Sequence, residues 1–165
     1  MLTREIKVED AERFVELIKE VESEADFMLM EAGERKITAE HQRKQLEQIE
    51  KRSNSTIFVA EQDEKLLGYL IVIGGNARRT EHSAYLVIGI LKEYRGCGIG
   101  TKLFVQLEEW AKTHNILRLE LSVVTQNDVG LSLYKKRGFE IEGTKRNSLI
   151  IDNKFFNEYF MAKLL

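Results

Sequence analysis

The chain has 165 residues, enough for one domain whose core needs no metal or disulfide to hold it together. Lys and Arg total 25 against 27 Asp and Glu, and this formal net charge of −2 excludes a nucleic-acid binder working through a basic surface. A hydrophobic fraction of 43% excludes a disordered acidic chain, and a single cysteine excludes both a disulfide framework and a multi-cysteine zinc site.

Proline is absent, so glycines and polar clusters must mark the boundaries. Leu2 to Lys7 alternates as a short first strand. Asp10 then caps, or opens the first turn of, an amphipathic helix that turns Phe14, Leu17, Ile18 and Val21 inward. Phe27, Met28 and Met30 read as core or pocket wall, and Glu24, Glu31, Glu34 and Arg35 as a solvated face around the break at Gly33. Thr38 is placed to cap a charged helix from Ala39 to about Arg52, with Leu46 and Ile49 on its inner stripe.

Thr56 to Glu61 and Leu66 to Ile73 read as the strands of a hairpin, and Ser83 to Leu91 as a third β-rich run. The longest charge-free run, Leu66 to Ala77, is too short to cross a bilayer, and the N-terminus lacks the apolar stretch of a signal peptide. A cytoplasmic protein acting away from membranes is the expectation. Ile99 to Lys112 repeats Ile99, Leu103, Leu107, Trp110 and Ala111 at helical spacing, Ile116 to Val124 is a strand, and Asn127 to Arg137 is a helix stopped by Gly138. Lys135, Lys136 and Arg137 at its end read as solvent-facing. Phe139 to Ile151 and Phe155 to Leu164 flank an Asp-Asn-Lys turn. The order βααβββαβαββ predicts an α/β fold of one domain, residues 1–165, with a mixed sheet and helices on both faces.

Three glycines fall in one six-residue stretch, Arg95-Gly96-Cys97-Gly98-Ile99-Gly100, between a strand and a helix. Glycines let backbone approach a ligand, and the free N–H groups and dipole of a helix start favour phosphate oxygens. The stretch is neither a P-loop, since Gly100 is followed by Thr101 and Lys102 in reversed order, nor a dinucleotide fingerprint, which would need glycine at Thr101. A tight turn without a ligand is the bland alternative. His41, His82 and His114 have no ligand spacing, so no metal is expected.

The spacing Arg95-x-x-Gly98-x-Gly100, then Asn127, Leu133-Tyr134 and Gly138-Phe139, resembles the GNAT superfamily of acyl-CoA-dependent N-acetyltransferases over about Ser83 to Phe139. From Glu142 onward the chain is more distantly similar to the ribosomal-protein and spermidine acetyltransferase branches. The resemblance implies a central, mostly antiparallel sheet splayed at the cofactor site, and acetyl-CoA as cosubstrate. Ile90 and Leu91 would then offer main-chain bonds to the pantetheine arm and thioester carbonyl. Arg95, Gly96, Cys97, Gly98, Ile99, Gly100 and Thr101 would wrap the pyrophosphate, Asn127 would hydrogen-bond the cofactor, and Tyr134 would face the sulfur. Two positions depart from the family pattern: Lys92 stands where proline is common, and Gly130 where alanine is common.

Transfer from a thioester needs a neutral amine, a donor for the oxyanion and a proton for the leaving thiolate. Tyr134 is the candidate general acid, the alternative being a tyrosine merely packed between helix and sheet. A glutamate base five residues before Asn127 is missing, because Ser122 stands there; Glu120, on the same strand face, is the candidate instead. The implied acceptors are a small-molecule amine or a protein N-terminus, and a homodimer is allowed. A non-catalytic acyl-CoA-binding module is the rival of another class, and a nucleotide-phosphate binder a third.

Overall fold

The computed structural model describes residues 1–165. Its elements follow the predicted order: β1 (Leu2–Glu5), α1 (Ala11–Glu24), α2 (Ala39–Glu50), β2 (Thr56–Gln62), β3 (Lys65–Gly74), β4 (Ser83–Ile90), α3 (Ile99–Thr113), β5 (Arg118–Val124), α4 (Asp128–Lys136), β6 (Glu140–Ile151) and β7 (Lys154–Leu164). The seven strands form one sheet in the order β1-β2-β3-β4-β5-β7-β6. Every neighbouring pair is antiparallel except β4 and β5, which run parallel. No helix is long and apolar enough to cross a membrane.

Alternation along β3 assigns the two faces of the sheet. Tyr69 meets Phe14 of α1 edge-on, with ring centroids 5.6 Å apart, whereas a Cβ on the adjacent Gly68 would touch Ile99 of α3. So α1, with α2 against it, covers one face and α3 the other. The inner stripe of α1 is the predicted one, Phe14, Leu17, Ile18 and Val21, all buried. On the opposite face Phe104 of α3 makes edge contacts with Tyr134 and Phe139, which close that layer.

Thr38 caps α2 as its sequence position predicts, its hydroxyl accepting the His41 N–H at 3.1 Å. Asp10 stands at the N-cap position of α1, but its side chain makes no capping hydrogen bond to that helix. Its buried carboxylate instead accepts the Lys7 N–H at 2.8 Å and hydrogen bonds from the guanidinium groups of Arg4 and Arg13. Burial pushes its pKa up; the hydrogen bonds from Arg4, Lys7 and Arg13 outweigh that and hold it at about 2. Gly138 ends α4 with φ of +90°, and the Phe139 N–H reaches back to the Tyr134 carbonyl, the helix stop its sequence position predicts. The edge strand β6 is long but irregular, with register shifts between Ile141 and Gly143 and between Lys145 and Leu149.

Candidate active site

The parallel pair β4–β5 is joined only at its start, where Ser83, Ala84 and Tyr85 face Arg118, Leu119 and Glu120. Beyond Tyr85 the strands diverge, while β4 stays on β3 to Ile90 and β5 stays on β7 to Val124. A wedge-shaped gap therefore opens inside the sheet. The Leu91 N–H donates to the Leu67 carbonyl at 3.0 Å. Antiparallel alternation then turns the N–H groups of Gly89 and Val87 toward β3, and those of Ile90 and Ile88 toward the gap. Of the two main-chain positions that sequence singles out, Ile90 thus keeps a free N–H and Leu91 does not. Ile88, absent from that pair, is the second donor facing the gap. The Ile90 carbonyl is taken by Arg95, whose Nε donates to it at 3.2 Å.

The wide end of the gap leads to the glycine turn. Gly96 and Gly98 hold φ of +76° and +82°, and a Cβ on either would meet nothing within 4 Å, so glycine is needed here for conformation rather than for space. The six consecutive N–H groups from Gly96 to Thr101 have no acceptor in the chain; the first helical bond of α3 runs from the Lys102 N–H to the Gly98 carbonyl. Left-handed residues alternating with right-handed ones turn successive N–H groups toward a common anion, here at a helix start. That donor set fits a diphosphate. Cys97 lies exposed in this turn, its thiol directed at the Arg95 carbonyl at 3.8 Å. Gly100 serves packing: a Cβ would come within 2.8 Å of Leu133 of α4.

Two further predicted residues follow β5, the far strand of the gap: Asn127 just before α4 and Tyr134 within it. Asn127 is the N-cap: its Oδ1 accepts the Gly130 N–H at 3.0 Å, leaving Nδ2 free to donate elsewhere. A Cβ at position 130 would stand 2.8 Å from that Nδ2, so Gly130 makes room for the Asn127 amide. Tyr134 is 7% exposed, with its ring edge-on to Phe104 and Phe139. Its hydroxyl has no partner in the chain, and it is not among the wholly covered unpaired side-chain atoms, which are Gln106 Oε1 and Arg137 Nε alone. The hydroxyl therefore opens to accessible space. Burial, and secondarily the Tyr85 phenol on the other face, keeps the Tyr134 proton bound well above the ordinary tyrosine range.

A sequence profile of the Acetyltransferase (GNAT) family matches residues 18–139, more than half of the chain. The chain belongs to the GNAT family of acetyltransferases. A solved GNAT-family acetyltransferase from Streptococcus pneumoniae superposes with a TM-score of 0.96 at 31% identity, covering 99% of each chain. A spermidine N(1)-acetyltransferase of Thermoplasma acidophilum is 29% identical over 92% of this chain and 96% of its own length. An L-amino acid N-acetyltransferase of Escherichia coli is 27% identical over 62% of this chain, and the match spans 64% of that relative, just under two thirds of its length. A GNAT superfamily phosphinothricin acetyltransferase from Sinorhizobium meliloti, solved in complex with acetyl-CoA, shares the fold with a TM-score of 0.86 at 17% identity, over 99% of this chain and 88% of that one.

On the α1 face of this GNAT sheet, a cavity of about 360 Å³ lies where the gap closes, between Tyr85, Glu120 and the connection from Gly74 to Thr80. Glu120 accepts the Arg118 Nε at 3.0 Å, and Arg118 also binds Glu142. Glu120 and Tyr134 are thus on opposite faces, with the apex of the gap between them. The solvated face assigned to Glu24, Glu31, Glu34 and Arg35 holds only in part. Glu24 accepts the Lys92 N–H at 3.2 Å, a bond that a proline at position 92 could not make. Arg35 makes a two-pronged ion pair, at 2.9 and 2.8 Å, with Glu22, whose side chain is 4% exposed. Arg137 likewise turns inward and donates to Glu108 at 3.0 Å. Glu22 could have been found in the sequence, since it follows Ile18 by four residues and so lies on the buried stripe of α1.

Proposed function

We propose that the chain transfers the acetyl group of acetyl-CoA to a primary amine by direct attack, without a covalent enzyme intermediate. The single observation that carries this reading is the gap between β4 and β5. Unpaired strand amides line it, six free amides stand at its mouth, and the Tyr134 hydroxyl opens toward accessible space beside it.

In this reading the N–H groups from Gly96 to Thr101 hold the diphosphate, helped by the dipole of α3, and Asn127 Nδ2 donates to the cosubstrate. The outward N–H groups of Ile88 and Ile90 hold the pantetheine arm and the thioester oxygen. The amine nitrogen attacks the carbonyl carbon; a tetrahedral adduct forms, the N–C bond is retained and the C–S bond breaks. The sulfur leaves as thiolate and takes the Tyr134 proton, and the proton shed by the adduct nitrogen passes through solvent to the Tyr134 phenolate, which restores the starting acid. Tyr134 is protonated throughout the physiological range because its site disfavours the phenolate. An alkylamine with a lysine-like pKa of about 10.4 needs about 4.6 kcal/mol to become neutral at pH 7, so the acceptor side must favour the uncharged form. Glu120, through a bound water, is the candidate to draw that proton.

The names of the two sequence relatives favour a polyamine or an L-amino acid as acceptor, and a protein N-terminus presents the same chemistry. The test is thiol release from acetyl-CoA with spermidine, L-phenylalanine and an alanine-starting peptide. Turnover of at least one supports the reading. Coenzyme A binding with no turnover on any amine supports a binding module in its place.

A further inference from the structure

Tyr69 lies on the α1 face of β3, opposite Gly89 of β4. A Cβ on Gly89 would come within 2.6 Å of both the Tyr69 hydroxyl and ring carbon Cζ. The phenol therefore leans sideways off its own strand and covers the residue between Ile88 and Ile90, the two whose N–H groups face the gap. Phe14 fixes the ring edge-on, and only 2% of the residue is exposed. A tyrosine so nearly buried ordinarily has a partner for its hydroxyl. This one has none in the chain, yet it is not among the wholly covered unpaired atoms, so it retains a small opening to the outside.

The surroundings keep this hydroxyl neutral and in place. Burial raises its proton affinity, and the nearby Glu22 carboxylate raises it further. Both oxygens of Glu22 are held by Arg35, which joins the end of α1 to the segment before α2. Glu24, two residues along, anchors the same end of α1 to the Lys92 N–H just after β4. Phe27 in that segment meets Phe156 of β7 edge-on at 6.0 Å, which walls the α1 face from the other side. The result is a rigid phenol with an unused donor and acceptor, on the face opposite Tyr134, beside the stretch of β4 where the acyl group is proposed to lie.

We propose that Tyr69, reaching over Gly89 and held by Phe14 and the Glu22–Arg35 pair, is an acceptor-binding residue whose hydroxyl accepts a hydrogen bond from the attacking amine. The bond holds the amine with its lone pair free for the carbonyl carbon. Burial around the hydroxyl disfavours a charged amine there, so the amine it holds is the neutral one. The inference rests on the transferase reading above.

Steady-state kinetics of Tyr69→Phe test it, with spermidine, L-phenylalanine and an alanine-starting peptide as amines and coenzyme A affinity measured by calorimetry. The substitution removes no hydrogen bond within the chain, so the urea midpoint stays at the wild-type value. The expected result is a fivefold to tenfold higher KM for the amine, roughly what one neutral hydrogen bond provides, with kcat within about threefold and the Kd for coenzyme A unchanged. An unchanged amine KM, or a rise in KM matched by weaker coenzyme A binding, overturns the assignment and leaves the transferase reading intact. A wild-type protein that binds coenzyme A and acetylates none of the three amines overturns both.

Discussion

Replacing Tyr134 with phenylalanine isolates the proton donor from the packing around it. The ring keeps its edge contacts with Phe104 and Phe139 at centroid distances of 6.0 and 6.1 Å, and the lost hydroxyl breaks no hydrogen bond in the chain. Stability should therefore change by less than about 0.5 kcal/mol. Truncation to alanine would instead leave a cavity beside Phe104 and cost about 3–5 kcal/mol, confounding activity with folding. Loss of a positioned general acid lowers turnover by about 10²–10⁴-fold, or about 3–5 kcal/mol of barrier. Thiol release in single turnover, which separates chemistry from product departure, is the assay, run beside calorimetry with coenzyme A. The expected outcome is a fall of at least about 100-fold in the single-turnover rate with the Kd for coenzyme A within about twofold of wild type. A rate within a few-fold of wild type would remove Tyr134 from the chemistry, and a parallel loss of coenzyme A binding would recast it as a binding residue.

Three further outcomes follow from other parts of the fold. Gly98→Ala meets no steric contact but must hold φ of +82°, which costs about 1–2 kcal/mol and favours reshaping the turn, so coenzyme A should bind about tenfold more weakly while amine KM holds. Arg35→Leu leaves the buried Glu22 carboxylate without its partner and should destabilise the protein by about 2–3 kcal/mol in urea unfolding, with Glu22→Gln in the same chain restoring part of the loss. The Asp10 carboxyl is held at about 2, below its ordinary value of 3.8, so the stability it contributes is complete above about pH 4 and is lost as pH falls toward 2. That amounts to about 2 kcal/mol at one pKa unit per 1.36 kcal/mol; Asp10→Asn should flatten this acid limb, and an unchanged limb would show the Arg4–Asp10–Arg13 cluster to be inert.

The element order was legible because periodicity and punctuation are local. The α1 stripe, the Thr38 cap and the Gly138 stop each depend on residues within one or two turns. The glycine turn and Asn127 were legible for the same reason, and a second motif at the matching separation turned a weak signal into a family resemblance. What escaped depends on contacts between distant segments. No local pattern states that Tyr69 lies over Gly89, that Glu22 meets Arg35, or that Glu24 takes the Lys92 N–H in place of the usual proline. The choice between Ile88 and Leu91 as donors turns on hydrogen-bond alternation against β3, which needs the register that pairs Gly68 with Ile90. The placement of β7 between β5 and β6, which leaves β6 as the edge, is likewise a fact of topology.

The most direct test of the account is amide NMR of the protein titrated with coenzyme A, following the backbone signals of Gly96 to Thr101 alongside those of Ile88 and Ile90. The account predicts the large shifts at these amides themselves, with Gly89 and Leu91, already bonded toward β3, much less affected, and with pantetheine alone moving Ile88 and Ile90 but not the glycine turn. A titration that leaves Gly96 to Thr101 in place, or that moves them equally with pantetheine, would contradict it.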